Sequence, residues 1–460
     1  MNINQIDFFY FLGIGGMGMS SLARYFHYLG KTVSGYDRDK TLLTKKLEKE
    51  GISINYHDHT KILPKWIHSR RCLIVYTPAI PENHPQWIFI KKYGKNIKKR
   101  SQVLSLITKD KICIAIGGTH GKTTTCTLLA HILYSSGKNI TAFLGGISEN
   151  YQSNLISNGT EIFLVEADEF DRSFLSLSPN IACITSLDQD HIDTYPKRES
   201  LIEAYVEFSN RIKNPYKKIF LCKEEFLSSQ NAIYYSVEKK SANYYSNHVY
   251  VKENNKWYFD FHTSTETWKS LPLPIPGIHN LKNVTAALAI SDYLKIKNED
   301  VRKALFLFKG IKRRFSIHYQ SIKKIYIDDY AHHPTEINAL ITTVKKCFPG
   351  KKILGIFQPH LFSRTKYFEI FFAKSLEKLD FLILLDIYPA REFPINGISS
   401  NRLLDKIQMS SEKKEGSSLN INKVLEKIEK KNFDILLTIG AGNIDILIRP
   451  IKEWLDKRYG

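Results

Sequence analysis

Short apolar runs recur along this chain, and most stop at a glycine or a polar cluster just before a stretch with helical spacing. Such a run predicts a buried strand, and the stretch after it a helix. Near the N-terminus Asp7 to Leu12 is a strand, Met19 to Leu29 a helix closed by Gly30, and Thr32 to Tyr36 and Cys72 to Tyr76 further strands. Lys111 to Ile116 starts a second series, followed by a helix from Thr123 to Ser136 that Gly137 stops. Ile162 to Val165 and Ile181 to Leu187 are its next strands. Between Tyr216 and Lys269 the pattern shortens to alternating segments rich in Tyr and Asn, which predict antiparallel strands. The prolines of Leu271 to Gly277 make a rigid turn before a helix from Leu281 to Leu294. Gly310 to Phe315 is a linker, after which Lys324–Asp328, Ile353–Phe357, Phe381–Ile387 and Asp434–Ile439 are strands again. The result is an α/β chain with expected domains at 1–105, 106–311 and 312–460.

A chain of 460 residues exceeds what one core usually supports. No apolar run is long enough for a membrane span, and the start lacks a basic n-region and a cleavage site, so no signal peptide is expected. The six cysteines form no Cys-x-x-Cys pair, so reduced thiols, a cytoplasmic setting and no zinc site are expected. The net charge of +20 raises nucleic acid as a partner. The lysines are dispersed, however, and the one dense stretch, Lys91 to Arg100, has no nucleic-acid motif around it. A Lys-rich surface that suits anionic substrates is the better reading.

The chemistry concentrates where strands end. Gly13-Ile-Gly15-Gly16-Met17-Gly18 lies between a strand and a helix, and Asp37 closes the next strand. That is the context of a pyrophosphate-binding fingerprint, open to a dinucleotide or to a nucleotide-diphosphate sugar. Thr77 marks a loop at the edge of the same sheet. Gly117-Gly118-Thr119-His120-Gly121-Lys122-Thr123-Thr124 is a shortened P-loop, with Ile116 where the longer pattern has glycine. Its N–H groups and the helix N-terminus cradle phosphate, Lys122 reaches the β- and γ-phosphates, and the Thr123 hydroxyl can ligate Mg²⁺. Glu166 and Asp168 end the next strand on one face, where a nucleoside triphosphatase holds its metal. His191, among acids after another strand, suits a metal or a phosphate. Asn283, near a helix start, suits a cap or a base edge.

These stretches, in order over nearly the whole chain, resemble the Mur ligase family. Further matches are Asp190-His191-Ile-Asp-Thr-Tyr195, Pro276-Gly-Ile-His279-Asn280, Arg313-Arg314-Phe315, the Asp328-to-Glu336 run, Phe357-Gln-Pro-His360 and Tyr388-Pro-Ala-Arg391-Glu392. The resemblance implies two Rossmann-like domains flanking a P-loop ATPase domain, with ATP and Mg²⁺ as cofactors. The substrates it implies are UDP-N-acetylmuramate and L-alanine, joined through an acyl phosphate, or a tripeptide in the recycling branch. No nucleic acid and no membrane insertion are implied, and a monomer or homodimer is expected. Gly13, Gly15, Gly16, Met17, Gly18, Asp37 and Thr77 would bind the UDP-substrate. Gly117 to Thr124, with His279, Asn280, Asn283, Arg314 and Asp329, would bind ATP. Lys122 would stabilise the transferring phosphoryl group, Thr123 and Glu166 would hold one Mg²⁺ and His191 a second, and His360 and Arg364 would face the substrates. Two positions depart from the family: Ser186 stands where Asn is frequent, and Val206 where several relatives carry a carbamylated lysine.

Overall fold

The computed structural model describes residues 3–213, 218–223, 225, 232–252, 256–390 and 392–460. Arg391 of the Tyr388–Glu392 run lies outside them. Three sheets organise the chain. The first holds β1 (Phe8–Leu12), β2 (Thr32–Tyr36), β3 (Ser53–Asn55), β4 (Cys72–Tyr76) and β5 (Ile97–Lys99) in the order β3-β2-β1-β4-β5. All of its pairings are parallel. Because β2 and β4 lie on opposite sides of β1, the chain reverses direction across the sheet there, and the loop after β1 opens into that crevice.

The second sheet holds β6 (Ile112–Gly117), β7 (Ile140–Ser148), β8 (Ser153–Ser157), β9 (Ile162–Glu166), β10 (Ile181–Ile184), β11 (Lys218–Cys222), β12 (Ala232–Val237), β13 (Tyr244–Lys252), β14 (Lys256–His262) and β15 (Thr267–Leu273). Its order is β15-β14-β13-β12-β11-β10-β6-β9-β7-β8. The central strand β6 is therefore flanked by β9 and β10, both parallel to it. The register sets Ile116 opposite both Glu166 and Cys183, so all three strands release their loops at one edge. The antiparallel expectation for residues 216–269 is corrected in part: β11, β12 and β13 continue the parallel sheet. Short alternating segments have the same pattern whichever way they pair, which is why direction was not legible.

The third sheet holds β16 (Ser316–Gln320), β17 (Ile325–Asp329), β18 (Ile353–Phe357), β19 (Phe381–Leu385), β20 (Lys414–Ser417) and β21 (Ile435–Ile439), in the order β16-β17-β21-β18-β19-β20. Only β16 pairs antiparallel. The helix expected from Leu281 runs Ile278–Tyr293, because it begins directly after Gly277 ends the proline turn.

The chain divides into two compact units. One comprises Met1–Tyr250, Tyr258–Pro272 and Lys282–Lys309; the other Val251–Trp257, Leu273–Leu281 and Gly310–Gly460. Within the first, a single apolar core runs without a break from Phe9, Phe11 and Phe26 under the first sheet to Phe163, Val165, Phe174 and Phe208 under the second. Polar groups reinforce that junction. Buried Asn154 on β8 donates to the Met17 carbonyl at 2.7 Å and to Ser20 Oγ at 2.9 Å, and accepts from Arg24, which also grips Glu50 through two bonds. The second unit has its own core of Tyr326, Leu354, Ile356, Ile383, Leu436 and their neighbours. The six cysteines are buried, and none of them is joined in a disulfide. No helix among the described residues is long and apolar enough to cross a membrane.

Candidate active site

The N-terminal glycine loop is built by the crevice. Leu12 lies in register with Tyr36 and Tyr76, so Gly13 emerges between Asp37 and Thr77. Gly13 N and Ile14 N donate to the Tyr36 carbonyl at 2.8 and 2.9 Å. Asp37 Oδ2 accepts from Gly15 N at 2.7 Å and braces the loop from below. A Cβ on Gly13 would stand 2.7 Å from Thr77, and one on Gly15 2.8 Å from Asp37 Oδ2. Gly16 is the N-cap of the helix Met17–Tyr28, and no side chain caps that end, the setting an anion site needs. All seven residues expected to bind the UDP-substrate thus meet at one loop.

The P-loop forms at the end of β6 and is stitched to the segment after β10. Thr119 N donates to the Ser186 carbonyl at 3.0 Å, and the Thr119 hydroxyl to the Asp188 carbonyl at 2.7 Å. His120 N donates to Ser186 Oγ at 2.8 Å, so the departure at position 186 supplies a hydroxyl that shapes the loop. His120 Nε2 lies 3.1 Å from Asp188 Oδ2. Gly121 adopts φ +86°, where a side chain is strained, and a Cβ there would overlap Asn283 Oδ1 at 2.1 Å. Asn283 therefore lies directly on the P-loop, in the second turn of its helix and not at a cap position. Thr124 is buried on the P-loop helix Lys122–Ser135.

Lys122 does not hang free. Its ammonium donates to Glu169 Oε1 and Oε2 at 2.9 and 2.7 Å and to the Gly118 carbonyl at 2.7 Å. Glu169 is sealed from solvent; Tyr205 OH donates to it at 3.3 Å while accepting from Gly118 N at 2.7 Å, and Tyr195 OH holds its backbone carbonyl at 2.9 Å. His191 Nε2 stands 3.7 Å from the same carboxylate. Burial opposes the Lys122 charge, but Glu169, Asp168 and Glu166 outweigh it and hold its pKa above the ordinary lysine value. Burial likewise pushes Asp168 up, yet Lys122, Arg100 and His191 together bring it below the usual carboxylate range. Burial raises Glu166, which accepts from Gly145 N at 2.6 Å and from Thr123 Oγ1 at 3.0 Å. Thr123 and Glu166 thus present hard oxygen donors side by side at the P-loop helix, a set that fits Mg²⁺.

The second unit places its polar residues at the ends of β17, β18 and β21, where Asp329, Phe357 and Ile439 share a register. Asp329 accepts from Phe315 N and Ala331 N at 2.7 and 2.8 Å. Burial lifts its carboxyl to about 6 against the pull of Arg314. The Arg314 guanidinium lies 5.2 Å from the centre of the Tyr330 ring. Arg313 pairs with Asp328 at 3.2 Å and reaches the carbonyls of Gly440 and Gly442. Arg364 Nη1 lies 3.2 Å from His360 Nδ1, and the His360 ring stacks on Tyr388. Asn280 donates to the Pro276 carbonyl at 2.8 Å, and His279 packs against Gly277. His279, Asn280, Arg314, Asp329, His360 and Arg364 belong to this unit, and Asn283 to the first.

Glu169, Tyr195, Tyr205 and Arg100 were not singled out from the sequence as site residues. Glu169 had a local signal, since it stands three positions after Glu166 in the same acidic run. Tyr195 closes the Asp190–Tyr195 run that resembles the family, which gave it no role; nothing local marks Tyr205, whose partners Gly118 and Glu169 lie far away in the chain.

A P-loop pattern with carboxylates at the end of one flanking strand, a second glycine loop at a helix N-terminus in the same packed unit, and a separate, mostly parallel sheet with Arg and His residues after its strands together fit an ATP-using ligase. Three family models agree: Mur ligase family, catalytic domain, over residues 8–112; Mur ligase middle domain over 116–291; and Mur ligase, glutamate ligase domain, over 313–442. The chain belongs to the Mur ligase family. It is 46% identical to a UDP-N-acetylmuramate–L-alanine ligase of Flavobacterium psychrophilum over the full length of both chains. It is 44% identical to the ligase of that name from Christiangramia forsetii, covering 99% of each. Among solved structures, the UDP-N-acetylmuramate-alanine ligase MurC of Thermotoga maritima matches with TM-score 0.83 and 27% identity, covering 98% of this chain and 99% of that one. A murein peptide ligase of Psychrobacter arcticus has the same fold, with TM-score 0.71, 20% identity and the same coverage.

Proposed function

We propose that this chain is an ATP-dependent ligase that joins L-alanine to the lactyl carboxylate of UDP-N-acetylmuramate, in the cytoplasmic assembly of peptidoglycan precursors. Full-length identity above 40% to ligases of that name carries the reading. On this reading residues 1–105 bind the UDP-substrate, 106–311 bind ATP, and 312–460 complete the site. The carboxylate attacks the γ-phosphate and ADP leaves; the alanine amine then attacks the acyl phosphate, inorganic phosphate leaves, and an amide forms. Lys122 follows the transferring phosphoryl group, for which it leaves Glu169. Thr123 and Glu166 would hold Mg²⁺, whose chemistry is to neutralise phosphate charge where a second anion must approach. His191, whose Nε2 stands 3.7 Å from the Glu169 carboxylate, would hold a second ion. His279, Asn280 and Asn283 approach the adenine, Arg314 and Asp329 close on the nucleotide, and His360 and Arg364 face the substrates.

The test is phosphate release from ATP with UDP-N-acetylmuramate and either L-alanine or the L-alanyl-γ-D-glutamyl-meso-diaminopimelate tripeptide. Turnover is expected with L-alanine, and glycine and L-serine should be poorer by only ~1–3 kcal/mol, since a small acceptor offers little to discriminate. Turnover with tripeptide alone would replace this reading by the recycling ligase.

A further inference from the structure

Arg100 occupies a place that neither glycine loop accounts for. It opens the helix Arg100–Thr108, whose backbone is fixed by the Lys99 N–Gln102 Oε1 bond at 2.9 Å and by buried Val103, Leu104 and Ile107. Its neighbour Lys99 is tied to Asp171 at 3.0 Å. The Arg100 side chain lies along Gly18 of the N-terminal loop: a Cβ on Gly18 would stand 2.8 Å from Nη1, 3.0 Å from Cδ and 3.1 Å from Cζ. On its other side Nη2 is 3.9 Å from Asp168 Oδ2, too long for a hydrogen bond. Asp168 in turn feels both Lys122 and His191. A half-buried guanidinium thus bridges the anion loop of the first sheet and the acid cluster beside the P-loop, and among the described residues it donates no hydrogen bond.

Resting on the function proposed above, we infer that Arg100 receives the reacting carboxylate of the sugar nucleotide. The substrate's diphosphate has the loop N–H groups and the helix N-terminus for its own. The carboxylate has to travel from there toward Lys122, past Glu166, Asp168 and Glu169, all of its own sign. A planar cation on that route offers two parallel N–H donors to a carboxylate and offsets the repulsion of the acids. Gly18 lacks a side chain for this reason: it leaves the guanidinium its seat.

The experiment measures affinity for UDP, UDP-N-acetylglucosamine, UDP-N-acetylmuramate and ATP by calorimetry, with steady-state kinetics, on the full chain. The variants are Arg100→Ala and Arg100→Lys, and their affinity for ATP is the control for misfolding. The expected result is that UDP, UDP-N-acetylglucosamine and ATP bind as to wild type. UDP-N-acetylmuramate should weaken roughly tenfold or more, with its KM raised in step, in Arg100→Ala. Arg100→Lys should recover part of the loss. Equal weakening of UDP would place Arg100 on the diphosphate and overturn the assignment, and so would unchanged affinity for UDP-N-acetylmuramate. If wild type itself fails to turn over UDP-N-acetylmuramate, the function fails, an outcome separate from either of these.

Discussion

The Lys122–Glu169 pair shows how a single residue can serve stability and chemistry in turn. A buried lysine without a partner is costly, and breaking a buried pair from one side costs about 3–5 kcal/mol. Glu169→Gln keeps the shape and removes the charge, so it should lower unfolding stability by an amount near the lower end of that range when no nucleotide is present. Saturating ATP offers Lys122 a phosphate instead. The rise in Tm on adding ATP should therefore be larger in Glu169→Gln than in wild type; an equal rise would show that Lys122 does not turn to the nucleotide. Asp329 gives a pH signature. Its pKa is raised to about 6 by burial, so its folded form holds a proton that the unfolded chain has lost from about pH 4 upward. Stability from this group is complete below the unfolded value and is lost as pH rises to about 6, a loss on the order of 3 kcal/mol. Asp329→Asn should remove that slope. Denaturant midpoints at pH 4.5 and 7 should show the variant gaining on wild type as pH rises.

At the scale of elements, the P-loop is held by what it touches as much as by its own glycines. Gly121→Ala meets both a strained φ and the Asn283 side chain, and should weaken ATP binding at least tenfold. Gly137 also has positive φ, +76°, but open space around it. Gly137→Ala should cost about 1 kcal/mol of stability and leave ATP affinity alone; titration of both variants checks the contrast. Much of this was legible in the chain. Strands that end in glycine or acid announce themselves, because an apolar run is buried and its end is where backbone groups turn outward, as at Leu12, Gly117 and Glu166. Glu169 and Arg100 were less so, since their roles come from partners such as Lys122 and Gly18, which sequence order does not bring together. The parallel course of β11 to β13 was hidden for the related reason that alternation reports burial and not direction.

Among the described residues there are three sheets; one apolar core spans the first two, a further cluster around Tyr10, Leu12 and Trp87 packs on the first, and another core lies in the second unit. The five-stranded and ten-stranded sheets share their apolar interior and the buried Asn154–Arg24 network. They should melt together, so calorimetry should resolve two transitions and not three. Asn154→Leu would take one hydrogen-bond partner from Met17 O and one from Arg24 and should lower the transition assigned to the first unit, with the other unmoved.

That shared interior has a consequence for inhibitors. The loop at Gly13 and the loop at Gly121 are anchored to one packed body, so the span between them is set by side-chain packing. A compound that tethers a uridine diphosphate to an adenine nucleotide would meet its second anchor at a high effective concentration. Its affinity should peak sharply at one linker length and fall off on either side. The dependence on length would then be a ruler laid along the route the acceptor carboxylate takes.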